Sequence, residues 1–115
     1  MKAYLVTPSK TSLVDIDPEL ETYYKLLECD TIDIVYRKIG DRYFDVICDD
    51  EALLKAGSQV TCVDRRYNPM LFGNLLLVHH DEEGSTLGLE EDDIPVILRN
   101  VYRAISGNFV LVGDY

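Results

Sequence analysis

The sequence predicts an α+β fold: a two-layer single domain over residues 1–115, with two helices on one face of a mostly antiparallel sheet of about four to six strands. Three observations predict it. Two helical stripes of apolar residues, around Leu20 and around Ile97, stand far apart in the chain. Between them lie two β-branched and aromatic runs split by Gly40-Asp41, the pattern of a hairpin. The run Leu75-Leu76-Leu77-Val78 is apolar at every position, as a central strand covered on both faces would be.

Taken in order, residues 2–7 alternate, with Ala3, Leu5 and Thr7 on one side and Tyr4 and Val6 on the other, until Pro8 ends the first strand. Leu13 to Ile16 adds a short extended segment. Asp17 is then a natural helix cap with Pro18 at the first helical position, and Leu20, Tyr23, Tyr24 and Leu27 fall at i, i+3, i+4 and i+7. Thr31 to Ile39 and Arg42 to Cys48 form the hairpin. Asp49 to Lys55 fits one helical turn stopped by Gly57, Gln59 to Val63 is extended, and Asp64 to Pro69 is a polar loop holding Arg65-Arg66.

Leu71 to Val78 reads as one strand, followed by the tight acidic turn Asp81 to Gly84 and a short return segment, Ser85 to Leu89. Glu90-Glu91-Asp92-Asp93 complements a helix start, where Pro95 is tolerated, and Ile94, Ile97, Leu98, Val101, Tyr102 and Ile105 make an amphipathic stripe that Ser106-Gly107 stops. Asn108 to Val112 is a last strand. Both helices are expected to pack on one sheet face through Leu20, Tyr24, Leu27, Ile94, Ile97, Leu98 and Val101, leaving the other face as a working surface.

At 115 residues, with 47% hydrophobic and 28% charged, the chain has the size and composition of one folded domain rather than a disordered segment. Against 11 Lys and Arg stand 21 Asp and Glu, a net charge of -10, which repels phosphate and disfavours direct binding of nucleic acid. The opening residues lack the apolar core of a signal peptide, and no run approaches a membrane span. A cytoplasmic location is expected.

Few residues suggest chemistry. His79-His80 before Asp81-Glu82-Glu83 is the nearest approach to a metal-ligand set, but neighbours on a strand point to opposite faces, so both imidazoles reach one ion only if the strand ends at His79. Cys29, Cys48 and Cys62 are widely spaced and read as buried small hydrophobes. The acidic runs lack calcium-loop spacing, and the glycines occur singly, without a phosphate-binding loop. No catalytic, cofactor-binding or metal residue is expected. The candidate protein-binding surface is acidic: Asp49, Asp50, Glu51, Asp81, Glu82, Glu83, Glu90, Glu91, Asp92 and Asp93.

The opening Met1-Lys2-Ala3-Tyr4-Leu5-Val6, the stretch from Leu71-Phe72-Gly73-Asn74 through an apolar strand to Asp81-Glu82-Glu83-Gly84, and Leu89 to Ile94 resemble a family of small uncharacterised proteins, a domain of unknown function, encoded by bacteriophages, plasmids and integrative elements of bacteria. The resemblance covers about a third of the chain and transfers no catalytic residues; His79-His80 and the segment Asn108 to Val112 depart from its pattern. With the charge, it implies a non-enzymatic accessory protein that binds a host or phage protein, whose basic nucleic-acid groove an acidic surface would fill. Two alternatives remain open: a small metal-dependent or cysteine enzyme, and a homo-oligomeric structural protein pairing through Tyr36, Tyr43 or Tyr67.

Overall fold

A computed structural model of the chain describes residues 1–52, 60–63, 69–103 and 109–112. Its elements, in chain order, are β1 (Lys2–Val6), β2 (Thr11–Asp15), α1 (Leu20–Leu27), β3 (Ile32–Ile39), β4 (Arg42–Asp49), β5 (Val60–Val63), β6 (Pro69–Phe72), β7 (Leu75–His80), β8 (Thr86–Leu87), α2 (Asp93–Asn100), β9 (Val101–Arg103) and β10 (Val110–Val112). The expected α+β class and mostly antiparallel sheet are present. A six-stranded sheet runs β2-β1-β7-β4-β3, with β8 paired to β7, and a second sheet runs β6-β5-β10-β9. In the latter β10 lies parallel to β5.

The alternation read in β1 sorts the core. Tyr4 and Val6 join Phe44, Val46, Leu75 and Leu77 against Val96 and Ile97 of α2 and against Cys62, Val110 and Val112 of the second sheet. Ala3 and Leu5 join Ile47, Leu76 and Val78 against Tyr23 and Leu27 of α1. The two helices therefore cover opposite faces, not one. A strand apolar at every position needs cover on both sides, so the run Leu75 to Val78 already required this arrangement. Neither face is wholly bare, but the α1 side stays open over the β3–β4 hairpin, where Ile34, Tyr36 and Tyr43 are exposed.

Three boundaries differ from expectation for local reasons. The Met1 ammonium binds the Asp15 carboxylate at 2.9 Å and the Ile16 carbonyl at 3.0 Å, and the Ile16 N–H returns to the Met1 carbonyl. The chain thus stays with the sheet past Asp15, and α1 begins at Leu20 after an extended Glu19, with no side-chain cap from Asp17. Leu20 is left exposed. The strand expected over Leu71 to Val78 is cut by Gly73, whose φ of +74° turns the chain from β6 in one sheet to β7 in the other.

α2 ends at Asn100, and Val101, at φ -120° and ψ 108°, opens β9. Its buried stripe is Asp93, Val96, Ile97 and Asn100, while Leu98 and Tyr102 are exposed. The spacing is helical, but two of its four inward positions are polar, which displaced a reading based on apolar residues alone. The proposed turn through Lys55 and Gly57, the Arg65-Arg66 loop with Tyr67, and Ile105 to Gly107 lie outside the described residues, apart from Asp49, which completes β4, and the turn that follows it.

The hairpin is as expected. Ile39 stands opposite Arg42 across Gly40-Asp41, and Gly40 takes φ +67°, as the first central residue of a type II′ turn does. A Cβ at Gly40 would collide with Asn100 Nδ2, so this turn packs directly on the end of α2.

Candidate functional site

Charged and aromatic side chains meet where β4 begins and β7 ends. The ladder sets Asp45 opposite Val78, so Arg42 and Tyr43 come beside His79 and His80. As alternation on a strand requires, the two histidines part: His79 goes with Phe44 toward α2, and His80 goes with Asp45 to the α1 side.

On the α2 side His79 Nε2 lies 2.8 Å from Asp93 Oδ2 and its ring stacks on Phe44 at 5.0 Å. Arg42 Nη1 donates to Asp93 Oδ1 at 3.0 Å, and its other arm pairs with Asp92 at 3.2 Å. The Glu90 N–H donates to Asp93 Oδ2 at 2.7 Å. Burial pushes the Asp93 carboxyl up, but the Glu90 N–H, His79 and Arg42 outweigh it and hold it below the ordinary aspartate range. Its side chain is 2% exposed, so this carboxylate anchors α2 rather than facing a partner.

On the α1 side His80 Nδ1 lies 2.7 Å from Asp45 Oδ2. Tyr36 and Tyr43, both exposed, stack with ring centres 4.9 Å apart and planes 14° from parallel, and Tyr36 lies 5.8 Å from the His80 ring. Between the two sides opens a groove of about 430 Å³ lined by Tyr36, Arg42, Tyr43, His79, His80 and Leu87, with Glu90 on its border.

The acidic residues singled out in the sequence divide. The turn after β7 is built by Asp81, whose Oδ1 accepts the N–H groups of Glu83 and Ser85, both at 2.9 Å, leaving Glu82 and Glu83 exposed. That turn and the segment 90–93 reach the same end of the sheet as the groove. Asp49, Asp50 and Glu51 do not. The β4–β7 register sets Asp49 seven strand positions from Asp81, about 23 Å away at ~3.3 Å per residue. Asp49 is buried and turns its Oδ1 to the Glu51 N–H at 2.9 Å.

Among the described residues no group of three or more His, Cys, Asp or Glu stands close enough together to hold a metal ion. The three cysteines are buried and none is in a disulfide. Burial, with Asp33 nearby, pushes the Cys48 thiol up to about 11, and burial pushes that of Cys62 up to about 12, which leaves little thiolate for attack. Among the described residues no helix is long and apolar enough to cross a membrane.

Sequence reasoning missed Asp45, Arg42 and the aromatic pair as a group. Asp45 had a signal: an aspartate inside the apolar run Phe44 to Cys48 is unfavourable in a strand unless something binds it. The meeting of Tyr36 with Tyr43 had none beyond the hairpin register, which sets Lys38 and not Tyr36 directly opposite Tyr43.

Comparison with curated proteins and with solved structures finds no match to this chain. One protein-family model does match, over residues 1–101, a span that includes β1 through α2 and the whole of the groove. The chain belongs to the family described as Domain of unknown function (DUF3846).

Proposed function

We propose that this chain is a non-enzymatic binding protein, an accessory factor of a bacteriophage or mobile element, that docks a basic segment of a host or phage protein at the groove end of its six-stranded sheet. The observation that carries the reading is the exposed Tyr36–Tyr43 stack beside His80. Tyrosines present a large apolar area with a polar tip, and they are enriched as anchors where proteins meet. Exposed Glu82, Glu83, Glu90, Glu91 and Asp92 rim the same end and supply charge complementary to a basic partner. The acidic surface of this reading is narrower than the ten residues first considered, since 49–51 lie at the far end. The mobile-element setting rests on the sequence resemblance alone, and the partner's basic nucleic-acid groove remains the proposed target.

The test is capture from bacterial lysate on the immobilised full chain, at low and moderate salt, beside the variants Tyr43→Ser and Glu82→Lys/Glu83→Lys. A protein retained by the wild type, lost with both variants and weakened by salt is the expected result. Its nucleic-acid binding should then fall when the chain is added. No retained protein at low salt, or the same proteins on all three columns, overturns the reading.

A further inference from the structure

We propose, resting on the binding reading above, that the groove reads arginine: the side chain it takes from the partner's basic segment is an arginine, its guanidinium laid on the Tyr36–Tyr43 stack and bonded by the Glu90 carboxylate, its stem along Leu87. Each part of that side chain meets a matching surface. Tyr36 and Tyr43 are 55% and 51% exposed, and their rings lie 14° from parallel at 4.9 Å, so together they offer one broad aromatic platform. A planar, weakly hydrated guanidinium stacks on such a platform, whereas the ammonium of lysine is compact and strongly hydrated and gains less from it. Leu87, exposed on the groove wall, gives the methylenes of the stem an apolar surface.

Glu90 supplies the acceptor. Its N–H donates to Asp93 Oδ2 at 2.7 Å and its carbonyl accepts from the Asp93 N–H at 3.1 Å, so buried Asp93 fixes the backbone that carries this exposed carboxylate at the groove border. A carboxylate held in this way suits the two parallel N–H groups of a guanidinium. The neighbouring carboxylates are engaged within the chain: Asp93 with Arg42 and His79, Asp92 with Arg42, and Asp45 with His80. The charge of the site selects a cation. Arg42 is held by Asp92 and Asp93, and Lys38, opposite Tyr43 in the hairpin, has a partner of its own. Against these two stand Asp45, Glu90, Asp92 and Asp93, so the local balance is negative, as that of the whole chain is, and an anionic ligand is repelled.

The test is titration calorimetry on the full chain with short peptides of alternating lysine and glycine, the central lysine kept in one and replaced by arginine in a second and by citrulline in a third. The lysine and arginine peptides carry the same charge, so a difference between them reports the guanidinium itself. The arginine peptide should bind on the order of tenfold tighter than the lysine peptide. Citrulline keeps the planar shape without the charge, and its peptide should bind more weakly than that with arginine. Tyr43→Ser should erase the advantage of arginine over lysine, and Glu90→Gln should reduce it, with the circular dichroism spectrum of each variant unchanged. Equal affinity of the wild type for the arginine and lysine peptides overturns the proposal and leaves the docking of a basic segment intact. An arginine advantage that survives both substitutions overturns it as well, because the guanidinium then binds outside this groove. So does the absence of binding by any peptide up to about 1 mM. Capture from lysate has its own outcome in each case, so the binding reading stands or falls separately.

Discussion

The two faces of the six-stranded sheet are covered by helices of equal length and different character. α1 covers part of its face with Tyr23 and Leu27 and contributes no residue to the groove. α2 buries Val96 and Ile97 but also Asp93 and Asn100. Asp93 holds Arg42 of β4 and His79 of β7, while Asn100 donates to the Val96 carbonyl at 2.8 Å and lies against the hairpin turn at Gly40. An apolar cover tolerates small shifts and rotations, because dispersion and burial have little direction. A buried charge with three partners does not. α1 therefore serves stability, and α2 serves both stability and the position of Arg42 and His79.

The largest test of that contrast is truncation of each helix's central anchor. Ile97→Ala and Leu27→Ala should each cost about 2–5 kcal/mol in urea unfolding, with Ile97 the costlier because it is fully buried in the larger cluster. Ile97→Ala should also move the His79 ring resonances, whereas Leu27→Ala should leave them in place. Equal movement from both would erase the distinction between a covering helix and a positioning one.

Asp93→Asn sharpens the comparison, since it keeps shape while removing the charge shared by Arg42 and His79. A loss of about 1–3 kcal/mol at neutral pH is expected. The sign with pH follows from the direction of the shift. The folded carboxyl ionises below its ordinary range, so its contribution is full above the unfolded value of about 3.9 and disappears as the pH falls through the folded value. Urea midpoints of the wild type and Asp93→Asn should therefore differ at pH 7 and converge as the pH falls below about 4. A gap that persists unchanged in acid would mean the variant acts through packing.

What was legible in the sequence follows the same division. Strand alternation in β1, the Gly40-Asp41 hairpin and the two-sided burial of Leu75 to Val78 are apolar patterns, and the structure follows them. The true stripe of α2 was not legible, because Asp93 and Asn100 hold inward positions that a hydrophobic pattern assigns to solvent. Their cost is offset by partners from β4, β7, the Glu90 N–H and the helix itself, of which only Glu90 and Val96 are near in sequence. The groove was hidden for the same reason: His79 and His80 were visible as a pair, but their partners Asp93 and Asp45 lie 14 and 35 residues away.

The smallest test lies at the other helix. α1 ends on Glu28, which at φ 53° and ψ 50° is the only non-glycine residue with positive φ among those described, while the Cys29 N–H closes the turn onto the Tyr24 carbonyl at 3.0 Å. That geometry favours glycine, and a carboxylate beside a helix C-terminus meets partial negative charge. Against this, Glu28 stands 3.5 Å from Asn74 Nδ2, a contact at the limit of hydrogen bonding. Relief of the backbone should outweigh it, so Glu28→Gly is expected to stabilise by about 0.5–1 kcal/mol, seen as a rise of a few degrees in Tm. Because α1 contributes no residue to the groove, the gain should come with unchanged His79 and His80 resonances. A destabilised variant would show instead that the Glu28–Asn74 contact, which joins the end of α1 to the start of β7, holds this helix by a polar tie as Asp93 holds the other.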